Sequence, residues 1–298
     1  MGFVRTVANR IAKAGWAKAA RTASLACARS AILAAALPAA AAMAQADNPQ
    51  YWRWCQGLDA ATADRRVEGC TSAIEAGRED KRNLAAALTN RGEAYEERGD
   101  HDRAIDDYNQ ALRLDPKLVQ AYIGRGTAYS SRRNYQLAVQ DFGQAIQLDP
   151  KNPAPIIDRG AVYSMQGQVE LAIADFDQAI RLDPKSAPAL NDRCFARAKA
   201  NQLQAALADC DEAVRIAPND ADNFDTRGFA NLKLGQFAPA IADYDTALGL
   251  RPNMADALYG RGMAKLKKGD RRGGTADIAA AKTIQPDIAD EFARYGIK

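Results

Sequence analysis

Leu114-Asp115-Pro116-Lys117-Leu118-Val119-Gln120-Ala121-Tyr122-Ile123-Gly124-Arg125-Gly126 carries a pattern, LDP-x-x-x-x-A-x-x-x-RG, that returns along the chain. Its proline recurs at Pro116, Pro150, Pro184, Pro218, Pro252 and Pro286, always 34 residues apart. A fixed period of roughly 20 to 50 residues is the signature of a solenoid. Each unit in such a chain touches only its neighbours, so the 298 residues need no single central core.

Placing the proline at position 32 defines six units: 85–118, 119–152, 153–186, 187–220, 221–254 and 255–288. Position 8 reads Gly92, Gly126, Gly160, Cys194, Gly228 and Gly262, and position 20 reads Ala104, Ala138, Ala172, Ala206, Ala240 and Gly274. Position 24 reads Tyr108, Phe142, Phe176, Cys210, Tyr244 and Ile278, and position 27 is alanine from Ala111 to Ala281. Apolar residues three and four apart within each half predict amphipathic helices rather than strands. Gly99, Gly167, Gly235 and Gly269 at position 15 supply a left-handed end to the first helix, and proline ends the second. Each unit therefore reads as a helix–turn–helix hairpin, with small residues at 8 and 20 allowing close approach and the aromatic at 24 filling the space beside them.

The period, the small–aromatic–small order and the closing proline resemble the tetratricopeptide repeat family over residues 85–288. The resemblance implies an all-α fold, a right-handed superhelical solenoid of hairpins whose first helices line a concave groove. The chain departs from the family at position 4, never Trp here, and at position 11, where Arg197, Asn231 and Lys265 replace Tyr in the last three units. Residues 289–298 are expected to form a short helix capping the last apolar face.

Arginine holds position 7 in every unit (Arg91, Arg125, Arg159, Arg193, Arg227, Arg261) and aspartate holds position 23 (Asp107, Asp141, Asp175, Asp209, Asp243, Asp277). In an antiparallel hairpin these two positions face each other. The expected role is a structural ion pair repeated six times, within or between hairpins, with a row of ligand-binding arginines as the alternative.

Upstream, residues 1–29 are basic and free of acids, and 31–44 are apolar and rich in alanine, ending Ala42-Met43-Ala44. This is the plan of a secretory signal peptide over residues 1–44, cut before Gln45. An uncleaved anchor and a mitochondrial-type presequence are the alternatives. Residues 45–84 read as a degenerate N-terminal hairpin, with Cys70 aligned to Cys210 and a phase break of four residues that implies a longer loop. Cys27 leaves with the leader, and the remaining four cysteines, in an exported chain, read as disulfides Cys55–Cys70 and Cys194–Cys210. For Cys194 and Cys210 the alternative is a reduced pair of small core residues.

Six cations precede the first acid, Asp47; taking six from 40 leaves 34 basic against 37 acidic residues, or −3. That balance argues against a nucleic-acid or membrane-surface binder. The sequence contains no G-x-S-x-G, phosphate loop, H-E-x-x-H or C-x-x-C, and His101 is the single histidine. No catalysis, metal or cofactor is expected.

In the family, positions 2, 5, 9, 12 and 13 of the first helix meet a bound peptide. Here the first three units offer Glu93, Glu96, Glu97, Thr127, Ser130, Ser131, Ala161 and Ser164. The last three offer Phe195, Phe229, Leu232, Tyr259, Met263 and Leu266, bordered by Lys199, Lys233 and Lys267. The aromatics also suit packing between hairpins, and the lysines suit the negative end of a helix. The family's carboxylate clamp is unmatched, since position 5 reads Thr89, Ile123, Ile157, Asn191, Asp225 and Tyr259. The expectation is a non-enzymatic interaction scaffold of the cell envelope, most simply periplasmic, gripping an apolar segment with acidic residues in its groove. The alternative is a structural subunit that self-assembles through its last unit.

Overall fold

The computed structural model describes residues 49–77 and 79–297, so the expected leader, 1–44, lies outside it. The described chain falls into two compact units divided in sequence between Asp149 and Pro150. The first holds α1 (Pro49–Cys55), α2 (Ala63–Ala76), α3 (Lys81–Glu97), α4 (His101–Leu114), α5 (Val119–Ser131) and α6 (Tyr135–Leu148). The second holds α7 (Ala154–Met165), α8 (Val169–Leu182), α9 (Ala187–Lys199), α10 (Leu203–Ile216), α11 (Ala221–Lys233), α12 (Phe237–Leu250), α13 (Ala255–Lys267), α14 (Arg271–Ile284) and α15 (Ile288–Arg294). All these elements are helices, paired into antiparallel hairpins from α1 to α14. Among the described residues no helix is long and apolar enough to cross a membrane.

Within a hairpin the helices touch through the small and aromatic positions. A Cβ added at Gly92 would come within 2.8 Å of the Tyr108 ring, and one at Gly228 within 2.9 Å of the Tyr244 ring. Glycine is thus required where the ring of the second helix lies flat on the backbone of the first. In the fourth repeat the same two positions hold a disulfide, Cys194–Cys210, with Cα atoms 5.5 Å apart. A second disulfide, Cys55–Cys70, ties α1 to α2, Cα to Cα 4.5 Å.

The turn between the two helices is left-handed in all six repeats, including the two that lack glycine. Arg133 has φ 62° and Asn201 φ 59°, beside 73° at Gly99 and 75° at Gly235. Asparagine tolerates that conformation; arginine does so against the crowding of its Cβ.

The four residues that break the phase before the first repeat do not form the expected loop. They lengthen α3, which has 17 residues against 13 in α5. Asp80 starts this extra turn by accepting a hydrogen bond from the Asn83 amide at 2.8 Å, which stabilises an N-terminus that would otherwise fray.

Each arginine at position 7 forms a two-pronged pair with the aspartate at 23: Arg91 with Asp107 at 2.7 Å, Arg125 with Asp141 at 2.7 and 2.8 Å, and Arg159 with Asp175 at 2.8 Å. Arg193 meets Asp209 at 2.5 and 2.9 Å, Arg227 meets Asp243 at 2.6 and 3.1 Å, and Arg261 meets Asp277 at 2.7 Å. At Arg91, Arg125, Arg193, Arg227 and Arg261 the remaining Nη1 then reaches back to the preceding hairpin, at Arg91 to Thr71 Oγ1 at 3.1 Å. Arg125 meets Asn109 at 2.6 Å, Arg193 meets Asp177 at 2.6 Å, Arg227 meets Asp211 at 3.0 Å and Arg261 meets Asp245 at 2.7 Å. One guanidinium therefore closes its own hairpin and fastens it to the previous one.

Position 11 completes this arrangement in two ways. Tyr95, Tyr129 and Tyr163 place their rings about 6 Å from the guanidinium of the same repeat. In the last three repeats Arg197, Asn231 and Lys265 instead donate to the aspartate at 2.7, 2.9 and 2.8 Å. The departures at position 11 thus exchange a stack on the cation for a bond to the anion.

Asp243 is 6% exposed and accepts from both Arg227 and Asn231, so Asp243→Ala strands a partly buried guanidinium. It is expected to cost about 3–5 kcal/mol in chemical denaturation. Asp211→Ala, which removes the exposed outer partner of the same arginine, is expected to cost less than about 1 kcal/mol.

Candidate functional site

The residues expected to line the groove in the second unit come together on one face. Phe195 of α9 and Phe229 of α11 stand 5.4 Å apart, ring centre to ring centre, and Tyr259 and Met263 of α13 continue the row. That face is not open: α15 lies on it. Phe292 packs 4.7 Å from Tyr259 and 6.1 Å from Phe229, while Tyr295 stands edge-on to Phe195 at 5.7 Å and to Phe229 at 5.6 Å. Phe195, Phe229, Leu232, Tyr259 and Met263 are left 5–7% exposed. The C-terminal segment therefore does more than cover the last hairpin. Its apolar residues, Ile288, Phe292 and Tyr295, share one side of a short helix, and the aromatic row is the apolar surface within reach.

Glu291 goes down with them, 1% exposed, accepting from Gln285 Nε2 at 2.9 Å and from the Tyr295 hydroxyl at 3.0 Å. Burial pulls the Lys199 ammonium below the usual lysine range, and nearby Glu291 opposes that pull.

The flanking lysines serve the hairpin stack. Lys199 Nζ donates to the Ser164 carbonyl at 3.1 Å and Lys233 Nζ to the Ala198 carbonyl at 2.9 Å, in each case near the C-terminus of the preceding first helix. Each adds a charged donor to a carbonyl that already accepts a turn amide, Gly167 N–H on Ser164 and Asn201 N–H on Ala198, both at 3.2 Å, while Lys267 is exposed. The expected preference for acidic segments loses its basis in Lys199 and Lys233.

The acidic residues of the first repeat are occupied as well. Arg66 of α2 pairs with Glu97 and, at 3.0 Å, with Glu93, and His101 Nδ1 lies 2.8 Å from Glu96 Oε1. Burial raises all three carboxyls above the ordinary glutamate value, with these partners opposing the shift.

Under α15 a cavity of about 20 Å³ is lined by Asp225, Thr226, Tyr244 and Asp256, with the rings of Phe195, Phe229, Phe292 and Tyr295 around it. Burial pushes the Asp256 carboxyl up to about 7, reinforced by Glu291 and Asp222, and pushes Asp225 well above its usual range, reinforced by Asp256 and Asp222, while the Arg251 guanidinium, paired with Asp222, opposes both shifts. Sequence reading passed over this group. Asp225 registered only as a non-lysine at position 5, and Asp256 sits at position 2 of the next unit. The one signal was a carboxylate facing the groove in each of two adjacent repeats.

Models described as tetratricopeptide repeat match residues 85–118 and 119–152, residues 157–221 and residues 193–259. The chain belongs to the tetratricopeptide repeat family. No curated protein matches this tetratricopeptide repeat protein in sequence. Among solved structures it is similar to a tetratricopeptide repeat protein from Parabacteroides merdae, 18% identical with a TM-score of 0.66, covering 87% of this chain and 100% of that one. It is also similar to PilW, a type IV pilus biogenesis factor, at 20% identity and a TM-score of 0.62, covering 68% of this chain and 94% of that one. A third, YrrB, described as having an unusual peptide-binding site, is 25% identical with a TM-score of 0.50, covering 65% of this chain and 98% of that one.

A raised carboxyl keeps its proton in the fold at pH values where the unfolded chain, with aspartate near pH 4, has lost it. The stability linked to Asp256 is thus complete below about pH 4 and is lost as pH rises towards 7. Asp256→Asn is expected to melt several degrees above the parent at pH 8 and close to it at pH 4, measured by thermal denaturation followed by circular dichroism.

Proposed function

We propose that this tetratricopeptide repeat protein is a non-enzymatic interaction scaffold of the cell envelope, holding a peptide or partner helix on the face formed by Phe195, Phe229 and Tyr259. The observation that carries the reading is α15 itself. A short helical segment lies there now, engaged through two aromatic residues three apart, Phe292 and Tyr295. A surface that accepts such a segment from its own chain has the shape and chemistry to accept one from another. Prearranged first helices lower the ordering cost of that binding. Support for the envelope comes from the leader pattern of residues 1–44 and the two disulfides, bonds that persist in oxidising compartments.

The tether makes α15 a competitor at an effective concentration on the order of millimolar. The full chain carrying Phe292→Ala and Tyr295→Ala is therefore expected to bind a labelled synthetic peptide of residues 286–298 at least about tenfold more tightly than the parent chain does, read by fluorescence anisotropy. Adding Phe195→Ala and Phe229→Ala should abolish the gain. A folded Phe292→Ala/Tyr295→Ala chain that ignores the peptide would sink the groove reading.

Expressed with its leader in a bacterial host, the exported chain is expected to begin at Gln45 by N-terminal sequencing. A cytoplasmic chain retaining Met1 would remove the envelope from the reading.

A further inference from the structure

Beneath α15 the second unit holds two buried hydroxyls that no described residue hydrogen-bonds. Thr226 is 2% exposed and Tyr244 0% exposed, and among the described residues neither the Thr226 Oγ1 nor the Tyr244 hydroxyl has a hydrogen-bond partner. Buried hydroxyls are ordinarily satisfied, and leaving them unpaired costs free energy. Both line the cavity that also receives Asp225, 8% exposed, and Asp256. Gly260 belongs to the arrangement, because a Cβ there would collide with the Tyr244 hydroxyl and ring. A larger residue at 260 would push the hydroxyl away from the cavity.

Two carboxylates, two hydroxyls and four aromatic rings around a space of about 20 Å³ define a narrow class of guest. The space takes one water-sized group. Carboxylates and ring faces both favour a positive charge, and the carboxylates and hydroxyls accept hydrogen bonds. A primary ammonium, compact and carrying three donors, meets every condition. A calcium or magnesium ion does not fit as well, since each needs about six or more oxygen ligands and phenylalanine rings supply none.

The resident helix does not provide this group. It supplies the aromatic fit through Phe292 and Tyr295, but the charge it sends inward is Glu291, an anion that reinforces the pressure on Asp256. Lys199 also faces residue 291; its ammonium donates to the Ser164 carbonyl and stands 5.5 and 5.6 Å from the Phe195 and Tyr295 ring centres, so it serves those outer ring faces and leaves the two aspartates to another cation.

We propose that this socket takes the ammonium of a lysine in a partner segment that displaces α15, the lysine standing where Glu291 stands in the resident helix. The proposal rests on the groove reading above and goes beyond it by naming the charge of the partner at one position. It assigns Asp225 and Asp256 as the acceptors, with the Thr226 and Tyr244 hydroxyls completing the shell.

The test uses the full chain with Phe292→Ala and Tyr295→Ala, and three synthetic peptides of residues 286–298: the natural sequence, Glu291→Gln and Glu291→Lys. Anisotropy at pH 8 is expected to show the lysine peptide binding about tenfold more tightly than the glutamine peptide, which in turn exceeds the natural one. The advantage of lysine over glutamine should vanish when Asp225→Asn and Asp256→Asn are added, with circular dichroism reporting that the chain stays folded. It should also shrink at pH 5, where the raised Asp256 carboxyl is protonated. Equal binding of the lysine and glutamine peptides would mean that only the repulsion of Glu291 had been removed, and the socket would be refuted while the groove stands. A lysine preference that survives the two asparagine changes would refute it as well. Binding of no peptide at all would overturn the groove and the socket together.

Discussion

A guanidinium held between two carboxyl-bearing helices is the interaction on which the rest of this molecule depends. Arg227 illustrates it: two nitrogens grip Asp243 across the hairpin, and the third nitrogen reaches Asp211 in the hairpin before. The helices are too small in section and too rich in alanine to orient one another by bulk alone. Directional, charge-assisted bonds therefore set the rotation of each helix about its axis. The gain is specificity more than net stability, because the desolvation of each buried aspartate offsets much of the attraction. Once rotation is fixed, position 9 of successive first helices falls on a common face, as it does for Phe195 and Phe229.

That face is where fold and function meet. Its aromatic row is too apolar to stand uncovered, and α15 covers it, yet the fit is divided. The rings of Phe292 and Tyr295 interlock with Phe195, Phe229 and Tyr259, while Glu291 adds to the anionic pressure of Asp222 on Asp256, a pressure that Arg251 opposes. A cover that satisfies shape and opposes charge is one that a better-matched segment can replace.

Much of the fold was legible because the repeat prints it six times. The proline ladder placed the hairpin boundaries, and the left-handed turn at position 15 followed from glycine, although Arg133 and Asn201 keep it without one. Phe195 and Phe229 share position 9, so their common face was legible too. What covers that face was not. Residues 288–297 carry no copy of the repeat, and their contact with Phe195 spans about a hundred residues of sequence with no periodicity to report it. Position 25 escaped for a related reason: Asn109, Asp177, Asp211 and Asp245 act between hairpins, and the aspartate at position 23 already accounted for each arginine. The lengthened start of α3 was hidden because a phase break is equally compatible with a loop, and Asp80 as its cap decides the matter only in three dimensions.

The fourth repeat differs from its neighbours in the kind of matter that fills its middle. Elsewhere a ring, or in the sixth repeat Ile278, lies on a glycine, a contact complete as soon as the chain collapses. At Cys194 and Cys210 two sulfur atoms take that place, and sulfur fills less volume than a ring and a hydrogen together. In a reducing compartment this hairpin closes around a weaker filling, so the array contains one soft link. In an oxidising compartment a covalent bond makes the same link the hardest to open. The firmness of the fourth hairpin is thus set by the redox state of the surroundings in which the chain finds itself.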